Sequence, residues 1–247
     1  MKFKMVEQDN FEQRNKKKIE LMGKDISLRR SSFNWLIKGY DYEYSYHFKW
    51  LGRPIIQYPQ DIVALQEIIW NVKPDIIIET GIARGGSLVF SASILEMIGK
   101  GKVIGIDIDI REYNKKEIKK HSLFKRIKMI EGSSTDEKII KKVLKLIKPK
   151  DKVLVVLDSN HTHEHVLKEM EVYAPLIRKG SYMIVFDTII QDLPERLFSK
   201  RPWTKKNNPK TAVHEFISKN KRFKIDKDIT NKILISAAHD GYLKCIK

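Results

Sequence analysis

The residues from Asp75 to Ser87 constrain the fold of this chain more than any other stretch. Three consecutive isoleucines, at 76–78, precede a turn that contains three glycines. A short β-branched run of this kind is typical of a strand buried on both faces. The apolar residues from Leu88 to Ile98 then follow helical spacing. The stretch therefore predicts a strand, a tight turn and the start of a helix.

The turn has the features of a ligand site. In open parallel sheets ligands bind outside the carboxyl ends of the strands, and glycine lets a backbone approach them closely. The spacing of Glu79, Gly81 and Gly85 resembles the first motif of class I S-adenosylmethionine (SAM) methyltransferases. The resemblance implies that Glu79 receives the ammonium group of SAM, directly or through water, and that the turn with Arg84 and Ser87 passes its amino-acid end. An ordinary βα turn without a ligand is the alternative.

Further acids end the next predicted strands. The second strand, over 102–107, ends at Asp107, where Rossmann-like sheets hydrogen-bond a ribose diol. Asp109 is the neighbouring candidate, and a plain turn aspartate is the alternative. In the methyltransferase pattern the residues after the third strand bracket the adenine; here they are Glu131, Ser133 and Ser134. The two serines are equally compatible with helix caps.

Two more buried strands are predicted at 153–158 and 181–186, followed by a C-terminal hairpin with strands at 233–236 and 242–246. The expected fold is α/β, with a doubly wound, mostly parallel seven-stranded sheet and a C-terminal antiparallel hairpin. Asp61 is predicted to cap a helix over 62–70.

Composition narrows the class of protein. The chain has 247 residues, enough for one sizeable core. Its single cysteine, Cys245, excludes a disulfide framework within the chain and favours a reducing compartment. No apolar run approaches the roughly 18 residues of a membrane span, and residues 1–18 lack an apolar signal core. We therefore expect a soluble, cytoplasmic protein without a transmembrane segment.

The formal net charge of +17 does not decide which kind of partner the protein binds. Such a field attracts nucleic acid, anionic membrane or a phosphorylated substrate. The lysines are spread along the chain, as expected for solvated helix faces, without an arginine-rich tail or an aromatic–basic stripe.

The first 50 residues are charged, and their aromatic residues come late, with alternating tyrosines from Tyr40 to Tyr46. This extension over 1–50 precedes a predicted catalytic domain over 51–247. Its sequence is compatible with three structures: an extended arm, a helix pair that covers the site or a second subunit of a homo-oligomer, or a segment that packs onto the core.

Several motifs together indicate a family. The most telling are Ile78–Ser87, Leu157–His161 and Gly180–Val185. On these the chain, from Trp50 to the C-terminus, resembles the cephalosporin hydroxylase family, which has a SAM-dependent methyltransferase fold and includes rhamnosyl O-methyltransferases. The resemblance implies methyl transfer from SAM to a hydroxyl of a sugar, glycolipid or natural product, often with Mg²⁺.

The same resemblance implies metal ligands. Metal-dependent O-methyltransferases place them after the fourth and fifth strands, which gives Asp158, Asn160 and Asp187 here. Mg²⁺ prefers oxygen ligands and would lower the pKa of an acceptor hydroxyl. The chain departs from the pattern because Phe186 stands where one of the paired ligands is expected. Turn aspartates without a metal are the alternative.

His161, three residues after Asp158, is the predicted general base, since similar enzymes have a lysine base there. A merely hydrogen-bonded or exposed histidine is the alternative. With His163 and His165 it forms H-x-H-x-H, a spacing seen in zinc sites, but no matching Cys or His pair follows. An RNA methyltransferase and a non-catalytic SAM-fold protein remain as alternative functions.

Overall fold

The computed structural model describes the backbone of residues 2–247 and the side chains from Asn10 onward. The helices are α1 Lys2–Lys24, α2 Ile26–Tyr40, α3 Pro59–Val72, α4 Gly86–Ile98, α5 Glu112–Lys120, α6 Glu137–Leu144, α7 His163–Tyr173, α8 Pro209–Lys219 and α9 Lys227–Ile233. The strands are β1 Phe48–Trp50, β2 Arg53–Ile55, β3 Ile76–Thr80, β4 Lys102–Asp107, β5 Ile127–Glu131, β6 Val153–Leu157, β7 Tyr182–Val185, β8 Phe223–Ile225 and β9 Tyr242–Cys245.

The central sheet has seven strands in the order β5-β4-β3-β6-β7-β9-β8. Strands β3 to β7 are parallel, and β9 runs antiparallel to both β7 and β8. All five residues of β3 are buried, as its isoleucine run predicts. Two apolar clusters, one on each face, pack the sheet against its helices. The predicted doubly wound α/β fold with a C-terminal antiparallel hairpin is confirmed.

This strand order determines where a ligand site can form. The chain winds outward in one direction from β3 through β4 to β5, and in the other from β6 to β7. The crevice outside the carboxyl ends of β3 and β6 is therefore the topological switch point, where open α/β sheets bind their ligands.

The predicted position of the hairpin's first strand is wrong. Strand β9 pairs with β8, at Phe223–Ile225, whereas α9 runs to Ile233 and Leu234 then adopts a positive φ of 59°. The segment cannot continue as a strand, because the hydroxyl of Ser236 and the N–H of Ala237 both donate to a buried carboxylate.

That carboxylate is Asp61, whose predicted role as a helix cap is also wrong. Tyr58 is the residue before α3, and Asp61 lies fully buried inside its first turn. Its oxygens accept from Ser236 Oγ at 2.6 Å, Ala237 N at 2.8 Å and Tyr242 Oη at 2.7 Å. Because these donors come from the last part of the chain, Asp61 ties α3 to the C-terminal segment.

Within the N-terminal extension, residues 2–40 form a pair of helices rather than an extended arm. The polar helix α1 contacts α2 and α9, and α2 ends at Tyr40. A single 3-10 turn at Tyr44–Tyr46 follows, so the tyrosine alternation reflects a helix end and a turn, not a strand. Across residues 2–247, none of the helices has both the length and the apolar character needed to cross a membrane.

Candidate functional site

The glycine turn between β3 and α4 lies against the end of β6. Gly81 has a φ of +88°, and a Cβ added there would overlap the carbonyl oxygen of Asp158. Only glycine lets the two backbones approach so closely at this φ. The carboxylate of Asp107 holds the turn from the other side, because its Oδ2 accepts from Ile82 N at 2.7 Å and Ala83 N at 3.3 Å. Asp107 thus shapes the turn as well as facing the predicted ribose position.

Two residues that no sequence motif marks hold the far side of the turn. The buried guanidinium of Arg53, in β2, donates through Nε to the carbonyl of Arg84 at 3.1 Å and through Nη2 to Asn114 Oδ1 at 3.2 Å. Asn114 in turn donates to the carbonyl of Ala83 at 2.9 Å. The backbone carbonyls of Ala83 and Arg84 are therefore held in place by side chains from outside the turn.

Glu79, at the end of β3, is 1% exposed and lines a small enclosed cavity together with Ser87 and Asp158. One carboxylate oxygen accepts from the Ser87 hydroxyl, and the other, Oε2, is buried without a hydrogen-bond partner. Burial raises the pKa of Glu79 to about 7, against the opposing effect of the Ser87 hydrogen bond. A buried carboxylate oxygen that lacks a donor is well suited to a ligand's cationic group. The residue therefore fits the predicted ammonium contact.

A cavity of about 210 Å³ opens beside the glycine turn. It brings together four of the predicted cofactor residues, which are Gly81, Asp107, Ser133 and Ser134. Asp109 and Glu131 do not line it: the Asp109 side chain is 72% exposed, and Glu131 lies 3.8 Å from Lys115. The side chain of Arg84 is also exposed, so Arg84 contributes its backbone. Cofactor contacts by these three side chains stay predictions.

A buried acid that the sequence did not reveal lies behind the wall of this cavity and contacts three residues that line it. Glu169 is fully buried, and its Oε1 accepts from the hydroxyls of Ser134 and Ser159. His165 Nε2 lies 3.4 Å from the same oxygen. The helical i,i+4 spacing of His165 and Glu169 is the one signal that could have paired them. The network fixes two serines at the cavity wall, so Ser134 is not a helix cap.

A second cluster lies where β6 and β7 end. Ligand atoms of Asp158, His161 and Asp187 all lie within 4.8 Å of one another, and this is the one such group of His, Cys, Asp and Glu among the residues that the structure describes. His161 Nε2 is 3.1 Å from Asp187 Oδ2, and Gln57 Nε2 donates to Asp158 Oδ2 at 3.0 Å. Sequence patterns gave no indication of Gln57.

The electrostatics of this cluster favour a cation. Burial raises the pKa of Asp158 well above its usual value, and the nearby negative charges of Asp187 and Glu79 add to the effect. Two carboxylates that face one opening provide the oxygen donors that Mg²⁺ prefers. A bound cation would offset their mutual repulsion. Asp158 and Asp187 therefore fit the predicted magnesium site, and Phe186, buried in the core, contributes no ligand.

Asn160 is engaged elsewhere. Its Oδ1 accepts from the N–H of Thr162 at 2.9 Å and from the Thr162 hydroxyl at 2.8 Å, just before α7. Metal binding by Asn160 thus stays a prediction that needs this turn to open.

The three histidines point to different partners, which argues against a shared zinc site. His161 pairs with Asp187. His163 contacts Thr211 Oγ1 at 2.8 Å and Glu215 Oε2 at 3.1 Å, between α7 and α8, whereas His165 joins the network of Glu169.

A larger cavity of about 430 Å³ adjoins the carboxylate cluster and includes Asp158, His161 and Asp187 in its wall. Ser159 lines both this cavity and the smaller one. Between them stands Trp203, whose ring meets that of His161 edge to face with centroids 4.7 Å apart. The molecule thus has two adjoining cavities, one lined by the glycine turn and one by the carboxylates and His161.

One family of known proteins matches most of the chain. The family described as Rhamnosyl O-methyltransferase/CmcI matches residues 42–246. A rhamnosyl O-methyltransferase of Mycobacterium tuberculosis is 32% identical over 136 residues, or 54% of this chain and 54% of the relative. The match therefore spans about half the length of that relative.

Solved structures share the fold. CmcI, solved with Mg and SAM, has a TM-score of 0.57 at 18% identity, covering 82% of this chain and 78% of CmcI. An O-methyltransferase from Bacillus cereus, in complex with SAH, has a TM-score of 0.55 at 14% identity, covering 88% of this chain and 91% of that protein.

Proposed function

The chain belongs to the rhamnosyl O-methyltransferase/CmcI family, and on that premise we propose that it transfers a methyl group from SAM to a hydroxyl of a sugar, with Mg²⁺. One observation supports this most: Glu79, with its unpartnered oxygen, lines a small cavity together with Asp158, and Asp158 also belongs to the Asp158–His161–Asp187 cluster at the switch point of the sheet. The oxygen of Glu79 suits the cationic end of the cofactor, and the cluster suits the hydroxyl of the acceptor.

The residues on the cofactor side of the crevice would bind SAM and orient it. Glu79 would hold the ammonium group, and the Gly81 turn would pass the amino-acid end. Asp107 and Ser133, on the wall of the smaller cavity, would face the ribose and the adenine. Bound SAM supplies a methyl group on a sulfonium, the electrophile of the reaction. Because the turn is held by Asp107 and Arg53 before any ligand arrives, the alignment of the methyl group depends little on loop ordering.

The acceptor side would position a hydroxyl and remove its proton. Asp158 and Asp187 would hold Mg²⁺, which supplies the positive charge that lowers the pKa of the hydroxyl. If the Nε2–H of His161 donates to Asp187, the Nδ1 lone pair is left to accept the proton. The Asp187 carboxylate then stabilises the imidazolium. Gln57 would keep Asp158 in place by its hydrogen bond.

Two observations support a sugar as the methyl acceptor. The curated relatives are named rhamnosyl O-methyltransferases, and the larger cavity, of about 430 Å³, matches the size of a small-molecule pocket. The lysines that give the positive net charge are spread along the chain without an aromatic–basic stripe, so this charge does not lead us to propose RNA as the acceptor.

The test is direct methyl transfer to methyl α-L-rhamnopyranoside with SAM and Mg²⁺, followed by mass spectrometry. We expect a mass increase of one methyl group in the wild-type reaction. Asp187→Asn should lower the rate at least 100-fold, whereas Asp228→Asn, an exposed aspartate on α9, should not change it.

Calorimetry with S-adenosylhomocysteine separates binding from chemistry. We expect Asp187→Asn to bind it as tightly as the wild type, because Asp187 lies on the acceptor side. An absence of binding to the wild-type protein would refute the proposed function.

A further inference from the structure

The segment Tyr40–Tyr46, named here the roof segment, closes one side of the larger cavity. It joins the end of α2 to the 3-10 turn before β1. Tyr40, Tyr44 and Tyr46 all line the cavity. The opposite wall comes from the stretch after β7, through Ile189, Leu197 and Arg201. The cavity that holds the carboxylate cluster is therefore completed by the N-terminal extension.

Aromatic packing and an ion pair fix the roof segment. The ring of Tyr44 lies 4.9 Å from Trp35, 5.1 Å from Phe48 and 6.1 Å from Tyr58, measured between centroids. Arg196 pairs with both oxygens of Asp41, at 2.8 and 3.3 Å. An exposed pair of this kind contributes little to stability, but its two-point geometry sets orientation. It ties the segment to the opposite wall of the cavity.

Two tyrosines of the segment keep unused aromatic surface. Tyr40 is 39% exposed and Tyr46 54% exposed, while both line the cavity. The carboxylates of Asp158 and Asp187 line the same cavity as these two rings. The cavity thus combines aromatic faces on one side with carboxylates and an imidazole on the other. A pyranose ring has the complementary chemistry, with an apolar C–H face and an edge of hydroxyls.

We propose that the roof segment selects the acceptor, with the rings of Tyr40 and Tyr46 binding the C–H face of a neutral pyranoside while one hydroxyl meets His161 and Asp187. The inference rests on the proposed function. Tyr40 and Asp41 precede residue 42, where the family match begins. Residues 42–46, the rest of the segment, lie inside the matched region.

The test compares three tyrosines of the segment. Tyr40→Ala and Tyr46→Ala should each raise the Kd and KM for methyl α-L-rhamnopyranoside about tenfold, because a ring that contacts a ligand at the centre of a pocket is worth about one factor of ten. The Kd for S-adenosylhomocysteine and kcat should stay unchanged. Tyr42→Ala is the matched control, since Tyr42 is 76% exposed and does not line the cavity.

Three further variants separate the positioning of the segment from direct contact with the sugar. Tyr40→Phe should keep most of the affinity if the ring face binds the sugar. Asp41→Asn should raise the KM by about threefold, and adding Arg196→Gln should raise it no further, because the two side chains act as one pair. If these variants weaken the binding of S-adenosylhomocysteine as much as they weaken the binding of the rhamnoside, the segment has a general structural role and the inference is overturned.

Binding of the pyranoside is also measured without catalysis, by saturation-transfer NMR in the presence of Mg²⁺ and S-adenosylhomocysteine. If the wild type binds the rhamnoside and Tyr40→Ala weakens binding, but no methyl group is transferred, the proposed function fails and the roof inference stands. If Tyr40→Ala behaves like Tyr42→Ala, the inference fails although methyl transfer is intact. A wild type that binds none of the methyl rhamnoside, glucoside and galactoside also overturns it.

Discussion

Replacing Glu79 by glutamine is expected to remove part of the pH dependence of stability. Burial raises the pKa of Glu79 from its usual 4.5 to about 7. Between these two values the folded protein keeps a proton that the unfolded chain releases. The free energy of unfolding therefore falls as the pH rises through this window, and the penalty is complete above pH 7.

The size of the effect follows from the two pKa values. One pKa unit corresponds to about 1.4 kcal/mol, so the ionised carboxylate costs about 3 kcal/mol in full. Most of this, about 2–3 kcal/mol, falls between pH 5 and pH 8. Glutamine resembles the protonated acid and does not ionise. The difference in unfolding free energy between Glu79→Gln and the wild type should therefore shift by about 2–3 kcal/mol in favour of the variant over that range.

The assay is urea denaturation at pH 5, 6.5 and 8, without Mg²⁺ or SAM. Asp61 has a raised pKa in both proteins. The charge of Glu79 contributes to the raised pKa of Asp158, so its loss in Glu79→Gln shifts the difference in the same direction. Glu164→Gln, an exposed glutamate in α7, is the matched control and should follow the wild-type curve. Parallel curves for Glu79→Gln and the wild type would refute the reasoning. The same variant should bind S-adenosylhomocysteine at least tenfold more weakly, because it loses the carboxylate proposed to bind the ammonium group.

Three other substitutions test residues that hold the backbone around the site in place. Asp61→Ala should lower the free energy of unfolding by at least about 3 kcal/mol in urea titrations, because it leaves three buried donors without an acceptor. Arg53→Lys should weaken binding of S-adenosylhomocysteine about tenfold by calorimetry, since lysine cannot bridge the carbonyl of Arg84 and a second acceptor at once. Gly81→Ala should destabilise the fold by more than about 2 kcal/mol, because its Cβ would overlap the backbone of Asp158; a stable Gly81→Ala protein would contradict that geometry.

The sequence alone determined the layout of the sheet and the position of the crevice. The isoleucine run of β3 and the glycines after it require a buried parallel strand and a tight turn, and both depend on residues close together in the chain. Acids at strand ends, such as Asp158 and Asp187, could be placed at one edge because parallel strands all end there. Periodicity and turn chemistry are local properties, and therefore they can be predicted without coordinates.

Only the tertiary structure decided which side chains complete the site. Gln57 reaches Asp158 across 101 residues of sequence, and Arg53 reaches the glycine turn from a hairpin ahead of it. Asp61 is positioned like a helix cap, yet its partners come from the far end of the chain. In the sequence, the roof segment shows only alternating tyrosines. It forms a cavity wall because α2 packs beside the sheet. Contacts of this kind depend on how helices and strands pack together, which no local pattern specifies.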